Sequence, residues 1–257
     1  MTISAKPSVY TVNTGHTHCP NHLWMMDEGT GTTLTDKGKT AGYNLTLTDT
    51  AAGSGPEWAT DGTHGPVLDF VLANGDHASY SSVSGLTGTH VIGVIVDRAL
   101  GTTTRCMASV CDPTQLDRFA ALVFQGDEDV EAASRFDATQ QTATSTQDMA
   151  AGWNFVAVQF SDATIEWSLN GSAWSALAVS HSGLLAAVTR ISLGALAHSS
   201  PQWFWDDFMC AAMWWKASKS DADIASIAAD PWQFLDTSAL TSQQPQFYRR
   251  PNTLLRM

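Results

Sequence analysis

The chain has 257 residues, of which 44 % are hydrophobic and 15 % charged, and its formal net charge is −12. This composition is typical of a folded domain with a sizeable core and excludes a disordered chain. The acidic balance disfavours nucleic acid and anionic membranes as partners, and no apolar run reaches the roughly 18 residues that a membrane-spanning helix needs.

The first 21 residues predict an extended N-terminal arm. They lack the apolar segment of a secretory signal, so we expect a protein outside the secretory route with its four cysteines as reduced thiols. His16, His18, Cys19 and His22 are potential ligands of zinc or copper. The alternatives are a polar arm that happens to contain histidines, or an arm exchanged between subunits.

Short apolar segments separated by Gly, Thr, Asp and Ser follow the arm, and this spacing favours an all-β sandwich or barrel. Natural hairpin turns lie at residues 161–163 and at Asn170-Gly171. The predicted strands are residues 22–26, 43–47, 67–71, 78–82, 90–96, 118–124, 154–160, 164–169, 190–193 and 204–214.

Residues 220–235 predict the one convincing helix, closed by an aromatic latch. Ser220 is a suitable N-cap, and acidic residues in the first turn complement the helix dipole. Pro231 ends the helix, and we expect Trp232 and Phe234 to anchor the chain back onto the body. The helix should bury one face, formed by Ile224, Ile227 and Ala228.

Residues 236–257 form a polar, basic C-terminal tail. It carries apolar anchors and arginines, a combination that can become ordered on a partner surface. The alternative is a frayed terminus. The predicted interface residues here are Phe247, Tyr248, Arg249 and Arg250.

The order of several motifs resembles laminin-G-like, concanavalin A-like jelly-roll domains over residues 22–235. The segments that carry the resemblance are 23–36 (LWMMDEGTGTTLTD), 56–58 (PEW), 65–70 (GPVLDF), 76–80 (DHASY), 152–158 (GWNFVAV), 165–171 (IEWSLNG) and 213–234. The resemblance implies an antiparallel β-sandwich. Chains with this sandwich, a Pro-Trp latch and a basic tail resemble phage or prophage structural proteins.

The family often holds a structural calcium ion between its first loop and its last strand. Asp36 matches the first-loop aspartate, and Asp206 or Asp207 would face it from the last strand. Lys37 and Lys39 bring cations to a place where calcium prefers oxygen ligands. The alternative is a loop acid and two solvated acids at a strand end.

Four tryptophans lie in the segment just before the helix, at Trp203, Trp205, Trp214 and Trp215. Adjacent residues of a strand face opposite sides, so we expect either Trp214 or Trp215 to leave the core. An outward tryptophan beside Trp203 or Trp205 would form an apolar patch, which favours a subunit or capsid contact over a sugar site.

An acidic run offers an enzymatic interpretation. In a strand, Asp127, Asp129 and Glu131 would share a face, and sandwich glycosidases use paired carboxylates. The simpler interpretation is an acidic hairpin tip after an apolar strand.

The sequence therefore favours a noncatalytic structural protein of a virus particle, on the capsid or tail surface. It would be located in the virion (alternatively the cytoplasm), as a homo-oligomer bound to other virion proteins through its arms. The first alternative is a carbohydrate-binding adhesion module that recognises a host glycan. The second is a glycan-active hydrolase.

Overall fold

The computed structural model describes residues 3–49, 55–84, 86–98, 103–126, 129–137, 139–179, 181 and 183–238. The strands are β1 Thr11–Val12, β2 His22–Trp24, β3 Thr33–Leu34, β4 Leu45–Thr48, β5 Glu57–Asp61, β6 Gly65–Phe70, β7 His77–Ser81, β8 His90–Arg98, β9 Arg105–Cys111, β10 Arg118–Phe124, β11 Asp129–Phe136, β12 Thr139–Asp148, β13 Gly152–Phe160, β14 Thr164–Leu169, β15 Ser175–Ala178, β16 Arg190–Leu193, β17 Asp207–Trp215 and β18 Leu235–Asp236. The helices are α1 Leu184–Ala187 and α2 Asp221–Ala229, with a 3-10 turn at Leu72–Asn74. In these ranges no helix is long and apolar enough to cross a membrane.

Two antiparallel sheets face each other. Sheet I has the strand order β15-β14-β13-β8-β17-β6-β5, and β2 also pairs with β17. Sheet II has the order β12-β11-β10-β9-β16-β7-β4-β3, and β1 pairs with β18 in a separate ribbon. The predicted all-β sandwich of jelly-roll type with a C-terminal helix is therefore confirmed, and α1 is an additional single turn.

Apolar side chains form three layers. The inner core lies between the sheets, and a second layer lies between sheet I and α2 with the N-terminal segment. A third, smaller layer covers the outer face of sheet II, where Leu196 and Trp203 pack against Phe119. Because sheet I is covered on both faces, β8 and β17 are almost continuous apolar runs.

The tryptophans of β17 show the consequence of this double cover. Trp214 lies in the inner core and Trp215 in the second layer, with 0 % and 2 % of their surface exposed. Trp205 is also buried, and Trp203 packs edge-on against Phe119 at 5.8 Å between ring centroids. The expectation that Trp214 or Trp215 leaves the core is wrong, because α2 and the N-terminal segment cover the outer face.

The predicted helix and latch are confirmed. The Ser220 hydroxyl accepts a hydrogen bond from the Asp223 N–H at 3.1 Å, and the Asp223 carboxylate accepts from the Ser220 N–H at 3.0 Å. This reciprocal capping box fixes where α2 begins. The predicted apolar face is buried, and so are both latch aromatics, Trp232 and Phe234.

Every predicted strand overlaps an observed one, but three long strands of sheet II were missed. The sequence of β9 has mostly small residues, and β12 (TQQTATSTQD) is polar throughout. Both lack the apolar alternation on which strand prediction depends. Cys106 and Cys111 both lie on β9, and all four cysteines are free thiols.

Candidate binding groove along the N-terminal segment

The N-terminal segment, residues 3–21, lies along the outer side of sheet I. The indole Nε1 of Trp232 donates a hydrogen bond to the Ser4 carbonyl at 2.9 Å. The Asn13 N–H donates to the Phe234 carbonyl at 2.9 Å, next to the β1–β18 pairing. The predicted arm is extended as far as Val12 and forms turns over residues 14–18, and it is docked on its own sandwich and held by the C-terminal latch.

Lys6 is a buried polar anchor of this segment. Its ammonium donates to main-chain carbonyls of β2, β6 and β17 or their flanking residues, and burial lowers the pKa of Lys6. The acceptors are the carbonyl oxygens of Pro66 at 2.5 Å, Met25 at 2.9 Å, Met26 at 3.3 Å and Cys210 at 3.5 Å. One side chain therefore ties the arm to three neighbouring strands.

Two cavities open along the docked segment, and together we call them the arm groove. Their volumes are about 510 and 280 Å³, and Ser8 and Asp27 line both. The larger cavity is lined by Ser8, Val9, Tyr10, Thr11, Val12, Asp27 and Lys37. The smaller is lined by Lys6, Pro7, Ser8, Asp27, His64, Gly65 and Pro66. The larger cavity is a shallow depression open to solvent, and the smaller is more enclosed.

A three-residue network lies at the centre of the arm groove. Lys37 Nζ donates to Asp27 Oδ1 at 2.5 Å and to the Tyr10 hydroxyl at 3.1 Å, and it lies 5.4 Å from the centre of the Tyr10 ring. The Tyr10 hydroxyl donates to Asp27 Oδ2. The groove thus contains an aromatic ring beside a charge-balanced ion pair.

Protonation in this network is fixed by burial and hydrogen bonding. Burial works to raise the pKa of Asp27, but hydrogen bonds from Lys37 and Tyr10 outweigh it and hold that pKa below its usual range. Burial, and then the hydrogen bond to Asp27, raise the pKa of Tyr10. Asp27 is therefore a carboxylate and Tyr10 a neutral hydroxyl donor at neutral pH.

His64 adds a polar group to the smaller cavity. Its Nδ1 lies 3.1 Å from Asp61 Oδ1, and its ring lies 4.5 Å from that of Trp153. Nδ1 is engaged with this carboxylate, which leaves Nε2 as the second polar atom of the ring. In the described part of the chain Nε2 is buried and has no hydrogen-bond partner. A buried polar atom of this kind calls for a hydrogen-bond partner that no described residue supplies.

The structure separates the residues of the predicted calcium site. Both carboxylate oxygens of Asp36 accept hydrogen bonds, from His22 Nδ1 at 2.7 Å and from the main-chain N–H groups of Leu23, Gly38, Gly42 and Tyr43. Leu23 pairs with Met213, which lies six residues along β17 from Asp207. At about 3.3 Å per residue this is roughly 20 Å, so these acids do not share one site.

Asp206 and Asp207 lie at the opposite end of β17. Asp206 accepts from the Leu72 N–H at 3.2 Å and forms an ion pair with Arg105 at 3.2 Å. Burial, with Asp97 and Asp69 nearby, raises the pKa of Asp207 to about 6. Within the described ranges no group of three His, Cys, Asp or Glu side chains is arranged to hold a metal ion, and this includes the arm histidines.

The remaining predicted residues divide into two groups. Glu131 is buried in β11 and accepts hydrogen bonds from Gln125 and Thr144, at 3.1 and 3.3 Å. Asp127 lies outside the described residues, as do the tail residues Phe247, Tyr248, Arg249 and Arg250.

Sequence reasoning missed the arm groove. Lys6, Tyr10 and His64 lie in no recognisable motif. In the sequence, Lys37 indicates only a cation that is unfavourable to calcium. The one local signal is the run Val9, Tyr10 and Thr11, three residue types that are favoured in strands.

No known protein family matches the sequence, and no curated protein sequence matches it significantly. Solved structures do match. The binding domain of botulinum neurotoxin serotype D has a TM-score of 0.56 at 11 % identity, covering 85 % of this chain and 51 % of that chain. The binding domain of botulinum neurotoxin DC, solved in complex with rat synaptotagmin II, has a TM-score of 0.56 at 10 % identity, covering 82 % and 51 %.

A smaller domain also matches. The CBM40 domain of the Ruminococcus gnavus IT-sialidase, solved with α2,3-sialyllactose, has a TM-score of 0.48 at 14 % identity, covering 55 % of this chain and 83 % of that chain. The chain spans about half the length of the toxin chains. At these identities the toxin domains show the β-sandwich fold and nothing further.

Proposed function

We propose that this protein is a noncatalytic carbohydrate-binding module that holds a neutral saccharide in the arm groove. The observation that carries the proposal is the combination of the Tyr10 ring, the Asp27–Lys37 pair and the unpartnered Nε2 of His64 along one groove. A saccharide ring matches this combination, because it has aliphatic C–H faces that pack on an aromatic ring and hydroxyls that donate and accept.

The charge balance of the groove favours a neutral ligand. Lys37 is neutralised by Asp27, and the ammonium of Lys6 is already surrounded by main-chain carbonyls. A saccharide hydroxyl can form a hydrogen bond with His64 Nε2, and a second can accept from Lys37. The toxin chains that share the fold are named as binding domains.

The other two sequence-derived functions have weaker support. Glu131, the innermost of the acids proposed for catalysis, is engaged by Gln125 and Thr144. The virion location stays a prediction, because the tail residues on which assembly would depend lie outside the described residues. Saccharide binding is compatible with that location, since a particle surface meets host glycans.

A glycan array tests the proposal. The full-length protein is expected to bind neutral oligosaccharides, and Tyr10→Ala to lose at least tenfold in affinity because it removes the ring. Tyr80→Ala is the matched control, since Tyr80 is also a partly buried tyrosine but lies on β7 of sheet II. A blank array would refute the proposal, and so would equal binding by Tyr10→Ala and the wild type.

A further inference from the structure

A second groove lies on the opposite face of the sandwich. It has a volume of about 470 Å³ and lies between the β9–β10 loop and the segment that follows β16. Arg135 faces it from β11, where it pairs with Phe119 of the third apolar layer and so points away from the inner core. The residues that line it are Thr114, Gln115, Leu116, Asp117, Arg135 and Ser199.

Arg135 differs from the other arginines of the described ranges. Those four each donate to an acceptor of the chain: Arg98 to Met149, Arg105 to Asp206, Arg118 to Asp137 and Arg190 to Ser81. Arg135 forms no hydrogen bond or ion pair with any described residue, although its Nε is buried. Its Nε–H is thus a desolvated donor without an acceptor, which is costly unless a ligand supplies one.

His198 precedes the groove residue Ser199 in the chain and supplies a second donor. Its Nδ1 accepts a hydrogen bond from the Ser200 N–H at 3.1 Å, so the proton of the neutral ring is on Nε2. That Nε2 is buried and unpartnered as well. Burial, and then the charge of Arg135, lower the pKa of His198. His198 therefore stays neutral and presents one N–H in the field of the guanidinium.

The geometry points to an anion-binding site at Arg135 that takes a carboxylate attached to an apolar skeleton. A carboxylate accepts two parallel N–H bonds from a guanidinium, and His198 Nε2 would donate a third. Leu116 lies on the rim with 53 % of its surface exposed, and it offers an apolar contact beside the charge. The body carries a large net negative charge, so binding of an anion here depends on this local pair of donors.

Side-chain NMR of the full-length protein tests the site without any variant. We would follow the Arg135 Nε–H and the His198 Nε2 signals while adding benzoate, acetate, inorganic phosphate or chloride. Saturable shifts at both signals, tighter for benzoate than for acetate, are expected. Tighter binding of phosphate would overturn the carboxylate assignment. Equal, unsaturable shifts with all four salts would show ionic-strength effects only and overturn the site.

Four variants separate the site from its surroundings. Arg135→Gln is expected to weaken benzoate binding at least tenfold, and Arg118→Gln is the matched control because Arg118 is already paired with Asp137 at 3.1 Å. Asp117 also lines the groove, and Asp117→Asn tests whether it is the true partner in solution. If Asp117→Asn shifts the free Arg135 signal and benzoate does not, the site is an internal ion pair. Tyr10→Ala should leave benzoate binding unchanged, so this site and the arm groove can fail independently.

Discussion

Replacing Lys6 with methionine should loosen the whole N-terminal segment. The variant keeps most of the aliphatic stem and removes the ammonium, so the change isolates the four carbonyl contacts. Two of these are short, to Pro66 at 2.5 Å and to Met25 at 2.9 Å. Hydrogen bonds from a charged donor contribute about 1.5–3 kcal/mol each, so the two together stabilise by roughly 3–6 kcal/mol.

Part of this lost hydrogen-bond stabilisation is offset, because the variant no longer buries a charge. We therefore expect the free energy of unfolding to fall by about 2–4 kcal/mol. For a chain of this size each kcal/mol lowers Tm by about 2–4 °C, which gives a fall of roughly 5–15 °C.

Urea unfolding followed by tryptophan fluorescence measures the free energy of unfolding, and calorimetry measures Tm. Lys39→Met is the matched control, because Lys39 is exposed and its side chain makes no hydrogen bond with the described residues. Amide exchange at Asn13, whose N–H is bonded to Phe234, reports whether the segment detaches before the sandwich unfolds. The anchoring role is refuted if the free energy of unfolding of Lys6→Met lies within about 0.5 kcal/mol of the wild-type value, which is the scatter found for additive effects of unrelated sites.

Three further predictions concern packing and pH. Gly38→Ala should lower the free energy of unfolding in urea by more than about 3 kcal/mol, because the added Cβ would lie 2.2 Å from the Asn21 carbonyl oxygen. Gly62→Ala is the control and should have little effect, because no atom lies within 4 Å of the added Cβ. Burial raises the pKa of Asp207 to about 6 from an ordinary 3.8, so the folded protein binds this proton more tightly than the unfolded chain and loses stability as pH rises from 3.8 to 6. The free energy of unfolding of Asp207→Asn should therefore exceed that of the wild type by about 1–2 kcal/mol at pH 7 and equal it at pH 3, and equal stability at pH 7 would contradict the raised pKa. Burial lowers the pKa of His90 to about 4 from an ordinary 6.5, so the folded protein loses stability as pH falls from 6.5 towards 4. In thermal melts over this pH range, Tm of His90→Gln should fall less than Tm of the wild type.

The sequence predicted those parts of the fold that depend on neighbouring residues. The capping box at Ser220 and Asp223 is local, and so are the hairpin turns, where Asn170 and Gly171 adopt the positive φ angles of 51° and 78°. The apolar strands were found for the same reason. The polar edge strand β12 was missed because its residues do not alternate, although its neighbour β11 fixes its register.

The binding groove could not be predicted in the same way, because distant contacts build it. Lys6 reaches Cys210 across 204 positions of sequence, and the latch bond from Trp232 to Ser4 spans 228. The wrong prediction of an exposed Trp214 or Trp215 also results from contacts between residues distant in the sequence. Strand periodicity correctly put Trp214 and Trp215 on opposite faces, but it carried no information that the N-terminal segment covers the second face.

The most direct test of the central claim is to locate a bound saccharide. With ¹⁵N-labelled histidine, the His64 Nε2 signal should move on addition of an oligosaccharide selected from the array, since a hydroxyl of the ligand then forms a hydrogen bond with it. The same titration of Tyr10→Ala should require at least ten times more ligand. A saccharide that binds with no change at His64, or whose binding shifts only residues of sheet II, would contradict the assignment of the arm groove as the binding site.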